Sequence, residues 1–435
     1  MRNYLTIIIL AAGKGTRMKS ATPKILNKIA NREMILHIID TCSKLNPKNI
    51  YIVLGKNSND IKSLLPKNIK IITQEKQLGT AHALLCCKDK VEKIKGKLLV
   101  LYGDVPLLEI NTLKKLINRK DNNISMLGFE SLTPKGYGRI KINNKKVSEV
   151  IEEKNLKGED KNINICYSGI FSGKIQCIYK LLNSVKRNKS QKEFLLTDIF
   201  SSARKNNMPV SLVFAMENEV MGVNNLYQLS IAEEHFQFKL RKKFLIKGVA
   251  MQDPKTVFFS YDTKISPKVK IGPNNYFGPQ VIIKSNVFIG ANNNIEYTII
   301  NEGAIVGPFS RLRNNTIIGK EAKVGNFVEI KNSNIGSKTK INHLTYIGDA
   351  IIGSNSNIGA GTITCNYDGK DKHKTVIGSN VFIGSNCALI APIKIENQAF
   401  VAAGSTISDS LEVKDFSIAR AKQKIIKQGS KRFLK

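Results

Sequence analysis

The amino-acid sequence predicts two fold classes in one chain: an α/β domain with a doubly wound, Rossmann-like sheet, followed by a parallel β-helix. Short apolar runs alternate with stretches of helical spacing in the first half, which is typical of a sheet with helices on both faces. In the second half an aliphatic residue returns every six positions, which indicates stacked hexapeptide units. At 435 residues the chain is long enough for two domains of ordinary size.

The predicted α/β domain opens on an uninterrupted apolar run from Leu5 to Leu10. Such a run suits a parallel strand that is buried on both faces. Later segments have either the composition of strands or the three-to-four spacing of helices. The predicted strands are 50–54, 69–72 and 98–101, and the predicted helices are 35–45 and 81–91.

A long amphipathic helix is predicted over 226–244, because apolar residues recur there every three or four positions. Its place before the repeats favours a rigid linker, and packing on one domain alone is the other interpretation. We expect the helix to end at Asp253 and the coils to begin near Ile265. The predicted boundaries are 1–226 for the α/β domain, 227–247 for the linker and 248–435 for the β-helix.

The β-helix prediction depends on aliphatic residues expected to point inward, with three six-residue units in each triangular coil. The small residue that often follows each of them is expected to let the backbone turn the corner. An irregular stretch at 366–369 interrupts the repeat as an excursion loop would, and a basic tail follows Arg420. The predicted inward positions are Ile265, Ile271, Phe277, Ile283, Ile289, Ile295, Leu312, Ile318, Val324, Ile330, Ile341, Ile347, Ile377, Ile383, Leu389, Ile395, Val401, Ile407 and Val413.

Charge and composition argue against several classes of protein. The net charge is +34, but the basic residues are spread along the whole chain, so we interpret the charge as compositional drift and not as nucleic-acid binding. Attraction of phosphorylated substrates is the other use of this charge. No run approaches the roughly 20 apolar residues of a membrane span, and no signal peptide is visible. Seven cysteines without metal-ligand spacing suit reduced thiols, so we predict a cytoplasmic protein without membrane partners.

A glycine-rich turn follows the first predicted strand, within residues 10–17. Small residues let backbone N–H groups approach a phosphate, and a helix N-terminus favours anions. The turn lacks the Gly-Lys-Ser/Thr of a Walker A loop, and Met18 stands where a dinucleotide fingerprint has its third glycine. Arg17 and Lys24 add two cations, which suit a nucleoside triphosphate.

Asp104 lies at the carboxyl end of a predicted buried strand, which is the ligand-binding edge of an open α/β sheet. One or two oxygen side chains, together with substrate phosphates, are the usual ligands of Mg²⁺. A helix-capping role for Asp104 is the alternative. Gln74 supplies an amide able to read a base edge, and 136–139 adds a turn that permits close approach.

Polar residues that break the β-helix pattern form a second candidate site. Arg313 lies in one coil, and Glu329 and Lys331 occupy alternate positions of another, hence the same outward face. His343 and Tyr346 follow. Any one of these residues alone is compatible with an ordinary solvated face. Together, the cations suit a sugar phosphate, and a histidine suits removal of a proton from an amine.

The motifs of both halves occur together in one known family. The chain carries, in order and at the expected intervals, LAAGKGTR, PK, QLGTAHA, LYGDVPL, GYGRI, IEEK and GVNN, followed by the hexapeptide half. It resembles the bacterial bifunctional N-acetylglucosamine-1-phosphate uridylyltransferase/glucosamine-1-phosphate N-acetyltransferase family over essentially its whole length. The resemblance implies a left-handed β-helix and a homotrimer whose acetyl sites lie between coil stacks. It also implies that acetyl transfer comes first and that its product feeds the uridylyl site.

For uridylyl transfer, the resemblance implies attack of a sugar-1-phosphate oxygen on the α-phosphorus of UTP, with pyrophosphate leaving. Arg17 and Lys24 would be the catalytic cations, and Asp104 and Asn224 would hold Mg²⁺. Gln74 and Gly79 would lie at the uracil. The positions implied to bind UTP or the sugar nucleotide are Leu10, Ala11, Ala12, Gly13, Lys24, Gln74, Gly79, Thr80, Tyr102, Gly103, Asp104, Gly138, Glu152, Tyr167 and Asn224.

For acetyl transfer, the resemblance implies His343 as the general base that deprotonates the glucosamine amine for attack on the acetyl-CoA thioester. Glu329 would orient or polarise the site. The residues implied to bind glucosamine-1-phosphate are Arg313, Glu329, Lys331, Tyr346 and Asn357. The residues implied to bind acetyl-CoA are Ala360, Asn366, Tyr367, Ser385, Ala403 and Arg420.

Three positions depart from the family pattern: Tyr167 replaces an asparagine that contacts the sugar, Met221 replaces a glutamate, and Asn314 replaces a proline. Tyr167 therefore bears on sugar affinity and selectivity. Two alternative functions are weighed against the bifunctional one. One is a nucleotidyltransferase whose β-helix is only a trimerising tail, against which the polar set around His343 argues. The other is a nucleic-acid-associated protein, against which the even spread of charge argues.

Overall fold

The structure, a computed structural model, describes residues 4–13, 15–20, 22–119, 124–143, 146–187 and 193–434. The chain separates into two compact units, Met1–Phe236 and Gln237–Lys435. Within the described part of the chain, no helix is long and apolar enough to cross a membrane. The seven cysteines are free thiols.

Strands and helices alternate along the described part of the first unit. The strands are β1 (Leu5–Leu10), β2 (Lys28–Ile29), β3 (Arg32–Glu33), β4 (Asn49–Gly55), β5 (Lys70–Gln74), β6 (Lys97–Tyr102), β7 (Ile124–Glu130), β8 (Gly138–Asn143), β9 (Lys146–Ile151), β10 (Ile165–Lys174) and β11 (Val210–Phe214). The helices are α1 (Met34–Ser43), α2 (Asn59–Leu64), α3 (Thr80–Leu85), α4 (Lys88–Val91), α5 (Ile110–Ile117), α6 (Ile175–Leu182), α7 (Asp198–Lys205), α8 (Glu217–Val220) and α9 (Leu226–Ile246), the last of which crosses the boundary between the units.

One large sheet organises the first unit. Its strand order is β11-β7-β10-β6-β1-β4-β5, and the ribbon of β8 and β9 joins it at β10. Strand β1 pairs in parallel with β4 on one side and with β6 on the other, whereas β10 is antiparallel to β6 and β7. The direction in which the chain builds the sheet thus reverses between β1 and β6, which makes this the switch point of a doubly wound sheet. The fold class predicted for the first half is confirmed.

Strand β1 lies between two apolar layers. Ile8 and Leu10 belong to the cluster on one face of the sheet, and Ile7 and Ile9 belong to the cluster on the other. This division follows from the two-residue alternation of side chains along a strand. The segment 81–91, predicted as one helix, is instead the pair α3 and α4, because a tight turn at the two adjacent cysteines separates them.

Short strands build the described part of the second unit. They are β12 (Ala250–Met251), β13 (Phe258–Phe259), β14 (Lys264–Ile265), β15 (Lys270–Ile271), β16 (Tyr276–Phe277), β17 (Ile282–Ile283), β18 (Phe288–Ile289), β19 (Asn294–Ile295), β20 (Thr298–Ile300), β21 (Ile305–Val306), β22 (Arg311–Arg313), β23 (Thr316–Ile318), β24 (Lys323–Asn326), β25 (Glu329–Lys331), β26 (Asn334–Ile335), β27 (Lys340–His343), β28 (Tyr346–Gly348), β29 (Ala350–Ile352), β30 (Asn357–Ile358), β31 (Ile363–Cys365), β32 (Thr375–Ile377), β33 (Phe382–Ile383), β34 (Ala388–Ile390), β35 (Ile393–Ile395), β36 (Phe400–Val401), β37 (Thr406–Ile407) and β38 (Phe416–Ser417).

Three parallel sheets form the sides of a triangular coil stack. The first side is β12-β15-β18-β21-β24-β27-β30-β33-β36-β38, the second is β13-β16-β19-β22-β25-β28-β31-β34-β37, and the third is β14-β17-β20-β23-β26-β29-β32-β35. Neighbouring coils are paired in register, so each side chain lies beside its equivalents in the coils before and after. The predicted left-handed parallel β-helix is confirmed.

The aliphatic repeat fills the interior of the coils. The predicted inward residues from Ile265 to Ile407 are each 8% exposed or less. The prediction for Val413 is wrong, because its side chain is 52% exposed. Short interruptions in the six-residue repeat arise from five-residue steps, such as that from Ile295 to Ile300, which still place an aliphatic residue inside. The longest interruption is the excursion loop, residues 366–374 between β31 and β32.

The corners of the coils are turned by residues in the left-handed conformation. The sequence had predicted the turn one residue after each inward aliphatic, and this position is wrong. Such a residue stands farther on, as Asn274 (φ 55°) does three positions after Ile271. Asparagine tolerates this conformation better than most residues. The glycines that directly follow inward residues serve another purpose, since a Cβ on Gly336 would lie 2.5 Å from the carbonyl carbon of Gly353 in the next coil. The small residue therefore permits close contact between coils and does not make the turn.

The coil stack begins earlier than predicted. Strand β12 pairs with β15 and β13 pairs with β16, so the first coil precedes Ile265. Asp253 does not end helix α9, which stops at Ile246. Its carboxylate instead accepts a backbone N–H in the short turn Pro254–Thr256. The start of the repeat was missed because the first step, from Met251 to Phe259, is eight residues long and not six.

Helix α9 contributes to the core of each unit. In the first unit, Ala232 and Phe236 join an apolar cluster around Ile29. In the second unit, the buried side chain of Gln237 bonds to the backbone N–H and carbonyl of Phe259, at 2.9 and 2.7 Å. The boundary between the compact units thus falls inside the helix, and the predicted division at 226 and 248 stays a prediction.

Replacing Gly336 by alanine is expected to destabilise the second unit by about 3 kcal/mol, because the added Cβ would meet the backbone of the next coil. The matched control is Gly369→Ala. No atom lies within 4 Å of the Cβ it would gain, so only the cost of its positive φ, about 1 kcal/mol, is expected. Thermal unfolding followed by circular dichroism measures both variants, and equal losses would contradict the close-packing role of Gly336.

Candidate active sites in the two units

The carboxyl ends of β1 and β6 form the edge at which the predicted nucleotide residues gather. Leu10 is paired with Tyr102, and the Gly103 N–H donates to the Leu10 carbonyl at 2.9 Å. A Cβ on Gly103 would lie 2.9 Å from that of Ala11, so glycine allows the two loops to pass this closely. The space around Gly13 is open. Open space beside a glycine-rich backbone suits a phosphate group.

Side chains from three separate motifs form one polar network at this edge. The Lys24 ammonium donates to the Asp104 carboxylate and, at 2.8 Å, to the side-chain oxygen of Asn224. The Arg17 guanidinium donates to the same oxygen at 2.9 Å, although 207 positions separate Arg17 from Asn224. The structure therefore brings together the two predicted cations and the two predicted metal ligands.

The oxygens of Asp104 and Asn224 fit a divalent cation. Both accept from the single ammonium of Lys24, so both point to one place, and the group that lies there is itself a cation. Two oxygen ligands leave room for phosphate and water, which is the arrangement that Mg²⁺ favours. Among the residues that the structure describes, no group of three or more His, Cys, Asp or Glu side chains forms a metal cage. Two protein oxygens therefore suit a metal ion that takes its other ligands from a bound nucleotide and from water.

The segment predicted to read the base is a tight turn held from several sides. Gly79 has φ 107°, and a Cβ there would lie 2.5 Å from the carbonyl oxygen of Phe194, so only glycine fits. Buried Gln74 donates to the Gly79 carbonyl at 3.1 Å. The Thr80 hydroxyl accepts from the Leu196 N–H at 3.1 Å. Gln74 thus fixes the turn through its amide nitrogen, a role the sequence analysis did not foresee.

The residues predicted to bind the sugar lie where β8 meets β10. Gly138 is paired with Tyr167, and Glu152 accepts from the Thr197 hydroxyl at 2.9 Å. The Tyr167 ring packs edge-on against Phe200, with 5.2 Å between the ring centroids. Its hydroxyl is buried without a hydrogen-bond partner, and burial raises the pKa of Tyr167 well above its usual value. The described residues that are predicted to bind the sugar thus include a buried hydroxyl, that of Tyr167, with an unmet hydrogen bond.

Charged residues stack coil over coil on the second side of the β-helix. Parallel pairing places Arg311, Glu329 and Tyr346 in one row, and Arg313 beside Lys331 in the next. The Glu329 carboxylate accepts from Arg313 Nε at 2.7 Å and lies 3.7 Å from the guanidinium of Arg311. Four of the five residues predicted to bind glucosamine-1-phosphate thus share one face.

Lys331 belongs to a largely buried charge cluster. Its ammonium lies 3.4 Å from the Asp349 carboxylate, which also accepts from Asn332 at 2.6 Å and from Asn366. Lys331 lowers the pKa of Lys372, because the two ammonium groups lie close together. Neither Asp349 nor Lys372 was predicted from the sequence, because Asp349 stands at a coil corner and Lys372 in the excursion loop, outside any motif.

His343 ends β27, at the corner between the first and second sides. Its Nδ1 lies 2.6 Å from the side-chain oxygen of Asn326, the residue paired with it in the preceding coil. Because an amide oxygen only accepts, the neutral ring has its proton on Nδ1 and its lone pair on Nε2. The ring is exposed, so a substrate can reach Nε2. Asn326 was missed, although its position one coil before His343 was a usable signal.

The predicted acetyl-CoA residues continue the corner of His343 through later coils. Ala360, Ser385 and Ala403 each stand two residues after an inward residue of the first side, as His343 does. The Arg420 guanidinium donates to the Ala403 carbonyl at 2.7 Å. A column of small side chains therefore leads from the histidine to a cation.

Three predicted residues lie apart from their groups. Asn357 belongs to the first side, where it is paired with Lys340, whereas the other four glucosamine-1-phosphate residues lie on the second side. One chain alone therefore does not gather all five residues. Asn366 and Tyr367 lie in the excursion loop, outside the column that follows His343, and the Asn366 side chain donates to the Asp349 carboxylate. The Tyr367 side chain is 59% exposed, and its hydroxyl donates to the carbonyl of Gly369 at 2.6 Å.

Three family descriptions match successive parts of the chain. The MobA-like NTP transferase domain matches residues 7–133, the GMPPB C-terminal domain matches 294–369, and the bacterial transferase hexapeptide (six repeats) matches 374–409. The fold and the two sites thus define an NTP transferase joined to a hexapeptide transferase.

Relatives from several organisms match nearly the whole chain. The bifunctional protein GlmU of Bartonella bacilliformis is 40% identical over 430 residues, with 98% of this chain and 96% of the relative covered. GlmU of Zymomonas mobilis is 41% identical, with 98% and 96% covered, and GlmU of Wolbachia pipientis is 41% identical, with 96% and 97% covered. The chain belongs to the bifunctional GlmU family, and the predicted combination of uridylyl transfer with acetyl transfer is confirmed.

Asp104→Ala is expected to lower uridylyl transfer more than about tenfold, because the site loses the carboxylate that faces Lys24. Pyrophosphate release from UTP and N-acetylglucosamine-1-phosphate measures the effect at saturating Mg²⁺. Asp89→Ala, which removes an exposed carboxylate from α4, is the control and should leave turnover unchanged. Near-normal turnover of Asp104→Ala would contradict the prediction that Asp104 binds Mg²⁺.

Tyr167→Phe is expected to leave the thermal midpoint of the ligand-free first unit unchanged or to raise it. The hydroxyl that is removed has no partner, and a buried unsatisfied group costs about 1–3 kcal/mol. Tyr179→Phe is the matched control, because its buried hydroxyl donates to the Leu84 carbonyl at 3.4 Å and its loss should lower the midpoint. A clear loss of stability in Tyr167→Phe would show that its hydroxyl is bonded in solution.

Proposed function

We propose that this chain makes UDP-N-acetylglucosamine in two steps. An acetyl group is transferred from acetyl-CoA to glucosamine-1-phosphate, and the product then attacks UTP with release of pyrophosphate. The observation that carries the proposal is the exposed His343, bonded to Asn326, at the corner beside a face that holds Arg313 and Lys331. A β-helix that served only as a trimerising tail would need no such base beside cations.

In uridylyl transfer, Arg17 and Lys24 neutralise the charge of the triphosphate while an oxygen of the sugar phosphate attacks the α-phosphorus in line. The bond from that phosphorus to pyrophosphate breaks. Asp104 and Asn224 would hold Mg²⁺, which when bound supplies further neutralisation of phosphate charge. Such a reaction requires mainly positioning and charge neutralisation. The network of Lys24 with Asp104 and Asn224 supports this assignment, because it places both kinds of group at the open edge of β1 and β6.

In acetyl transfer, His343 acts as general base. The hydrogen bond from Nδ1 to Asn326 leaves the Nε2 lone pair for the proton of the glucosamine amine. The amine nitrogen then forms a bond to the thioester carbonyl carbon, the carbon–sulfur bond breaks, and coenzyme A leaves as its thiol. Arg313 and Lys331 bind the sugar phosphate. The column from Ala360 to Arg420, together with Asn366 and Tyr367, binds acetyl-CoA. A glutamate, Glu329, keeps the arginine side chain in place.

The proposed active form is a cytoplasmic homotrimer with acetyl sites between neighbouring coil stacks. The position of Asn357 supports this assembly, because it lies on a different side from Arg313 and Lys331 within one chain. A second copy that presents its first side to the second side of this chain would complete the set. Light scattering of the full-length protein measures the assembly, and a monomer with full acetyl transfer would contradict it.

The test of the function is release of coenzyme A thiol from acetyl-CoA by the full-length protein, with and without glucosamine-1-phosphate. Release that depends on the amino sugar supports the bifunctional proposal. Release without it is thioester hydrolysis and does not support the proposal. No release from a folded trimer would leave a uridylyltransferase with a structural β-helix, and Asn314, next to Arg313, would be the first residue to examine.

His343→Ala is expected to lower acetyl transfer by about two orders of magnitude or more and to leave uridylyl transfer unchanged, because only the first reaction uses the base. Lys338→Ala is the control in the same coil, where it removes an exposed cation paired with Glu321 at 3.8 Å. Both activities are measured on the same preparation. Loss of both activities in His343→Ala would point to misfolding and not to removal of a base.

A further inference from the structure

The carboxylate of Asp349 joins the two substrate subsites that we propose for acetyl transfer. One of its oxygens lies 3.4 Å from the Lys331 ammonium and accepts a hydrogen bond from the Asn366 side-chain amide. The other oxygen accepts from the Asn332 amide at 2.6 Å. We propose that Asp349 is a positioning residue for acetyl transfer, which holds Lys331 in the sugar-phosphate subsite and Asn366 in the acetyl-CoA subsite at the same time. This inference rests on the proposed function.

The burial of this cluster makes its contacts effective. The side chains of Lys331 and Asp349 are 10% and 14% exposed, and Asn366 is 7% exposed. Solvent therefore screens the ion pair only weakly. Burial raises the pKa of Asp349, but the hydrogen bonds from Asn332 and Asn366 and the charge of Lys331 outweigh it, so the net effect lowers that pKa and keeps the carboxylate ionised.

The backbone of Asp349 is fixed as firmly as its side chain. Its N–H donates to the Lys331 carbonyl at 3.0 Å, and its carbonyl accepts from the Thr375 N–H at 3.4 Å. Its φ is 49°, at a corner of the coil where aspartate is tolerated in the left-handed conformation. Asn366 and Thr375 stand at the two ends of the excursion loop. Asp349 therefore holds both ends of that loop, one through its carboxylate and the other through its carbonyl.

Two effects of the carboxylate on phosphate binding have opposite signs. As a negative charge beside Lys331, it weakens attraction of an anionic substrate. As a partner that limits the freedom of a long lysine side chain, it lowers the entropy lost when the phosphate binds. If positioning dominates, removal of the charge raises KM for glucosamine-1-phosphate. If charge alone matters, removal lowers that KM.

The experiment uses Asp349→Asn in the full-length protein and follows thiol release while each substrate is varied. We expect KM to rise about tenfold for glucosamine-1-phosphate and for acetyl-CoA, with a smaller change in kcat, because both subsites lose their common partner. A fall in KM for glucosamine-1-phosphate, or a change confined to one substrate, would overturn the proposal. Asp371→Asn removes an exposed carboxylate from the same loop and should change neither KM.

Double variants separate positioning from general damage to the fold. In a Lys331→Met background, Asp349→Asn should no longer change KM for glucosamine-1-phosphate but should still raise KM for acetyl-CoA. In an Asn366→Ala background the pattern should reverse. Additive effects in both backgrounds would show that Asp349 acts through neither partner and would overturn the proposal.

If Asp349→Asn does not fold, a second variant tests the same proposal. Asp349→Glu keeps the charge and displaces the carboxylate by one methylene, so it should raise both KM values, and unchanged values would overturn the proposal. The wild-type protein and His343→Ala are assayed alongside. If the wild type shows no thiol release that depends on glucosamine-1-phosphate, the proposed function fails. If the wild type is active and His343→Ala is not, the results for Asp349 bear on this inference alone.

Discussion

The register between successive coils is the constraint on which the second unit depends. Each strand pairs with its equivalent one coil away, so residues at equal positions form rows and columns along the stack. Close contact at Gly336 and Gly353 shows how little freedom the backbones have to slide past one another. Because the register is fixed, a chemical site can be assembled from residues that are about one coil apart in sequence. The contacts of His343 with Asn326 and of Lys331 with Asp349 are both of this kind.

The first unit also brings distant residues together at one site, but with a different geometry. Its site lies where the order of strands reverses, so the loops after β1 and β6 are neighbours although many residues separate them. Asn224 reaches this edge from a third, much later segment, and the backbone bond from Val223 to the Asp104 carbonyl, at 2.9 Å, fixes that approach. In both units, strand pairing fixes the backbone, and the backbone determines where the residues of the candidate sites lie.

The sequence was sufficient to predict the elements that repeat. Continuous apolar runs gave the buried strands, and the six-residue spacing gave the coils, because each pattern is a direct consequence of which side chains are buried. The corners were misjudged for a physical reason: a turn requires a backbone conformation, and asparagine, glutamine, lysine and phenylalanine all adopt it here, as at Asn274, Gln280, Lys268 and Phe309. No single residue type therefore marks a turn.

The residues of the candidate sites also divide into those that the sequence predicted and those that it did not. Those that stand in ordered motifs, such as Lys24, Asp104 and His343, were predicted, whereas Asn326 and Asp349 were not. These two act through a neighbour in an adjacent coil, so no local motif marks them, and only the spacing of 17 or 18 residues relates each to its partner. Gln74 was predicted as a reader of the base, but its contact with the Gly79 carbonyl depends on a turn whose shape the sequence did not show.

The column of small side chains that leads away from His343 has a fixed unit of length. Ala360, Ser385 and Ala403 follow His343 one coil at a time, and successive coils are about 4.8 Å apart, so the column extends roughly 14 Å. Its length can change only by whole coils, because exchanging a six-residue step for a five-residue step alters one side of a coil but not the number of coils. If the column binds acetyl-CoA as proposed, a shorter or longer acyl carrier would have to be matched by the loss or gain of an entire coil.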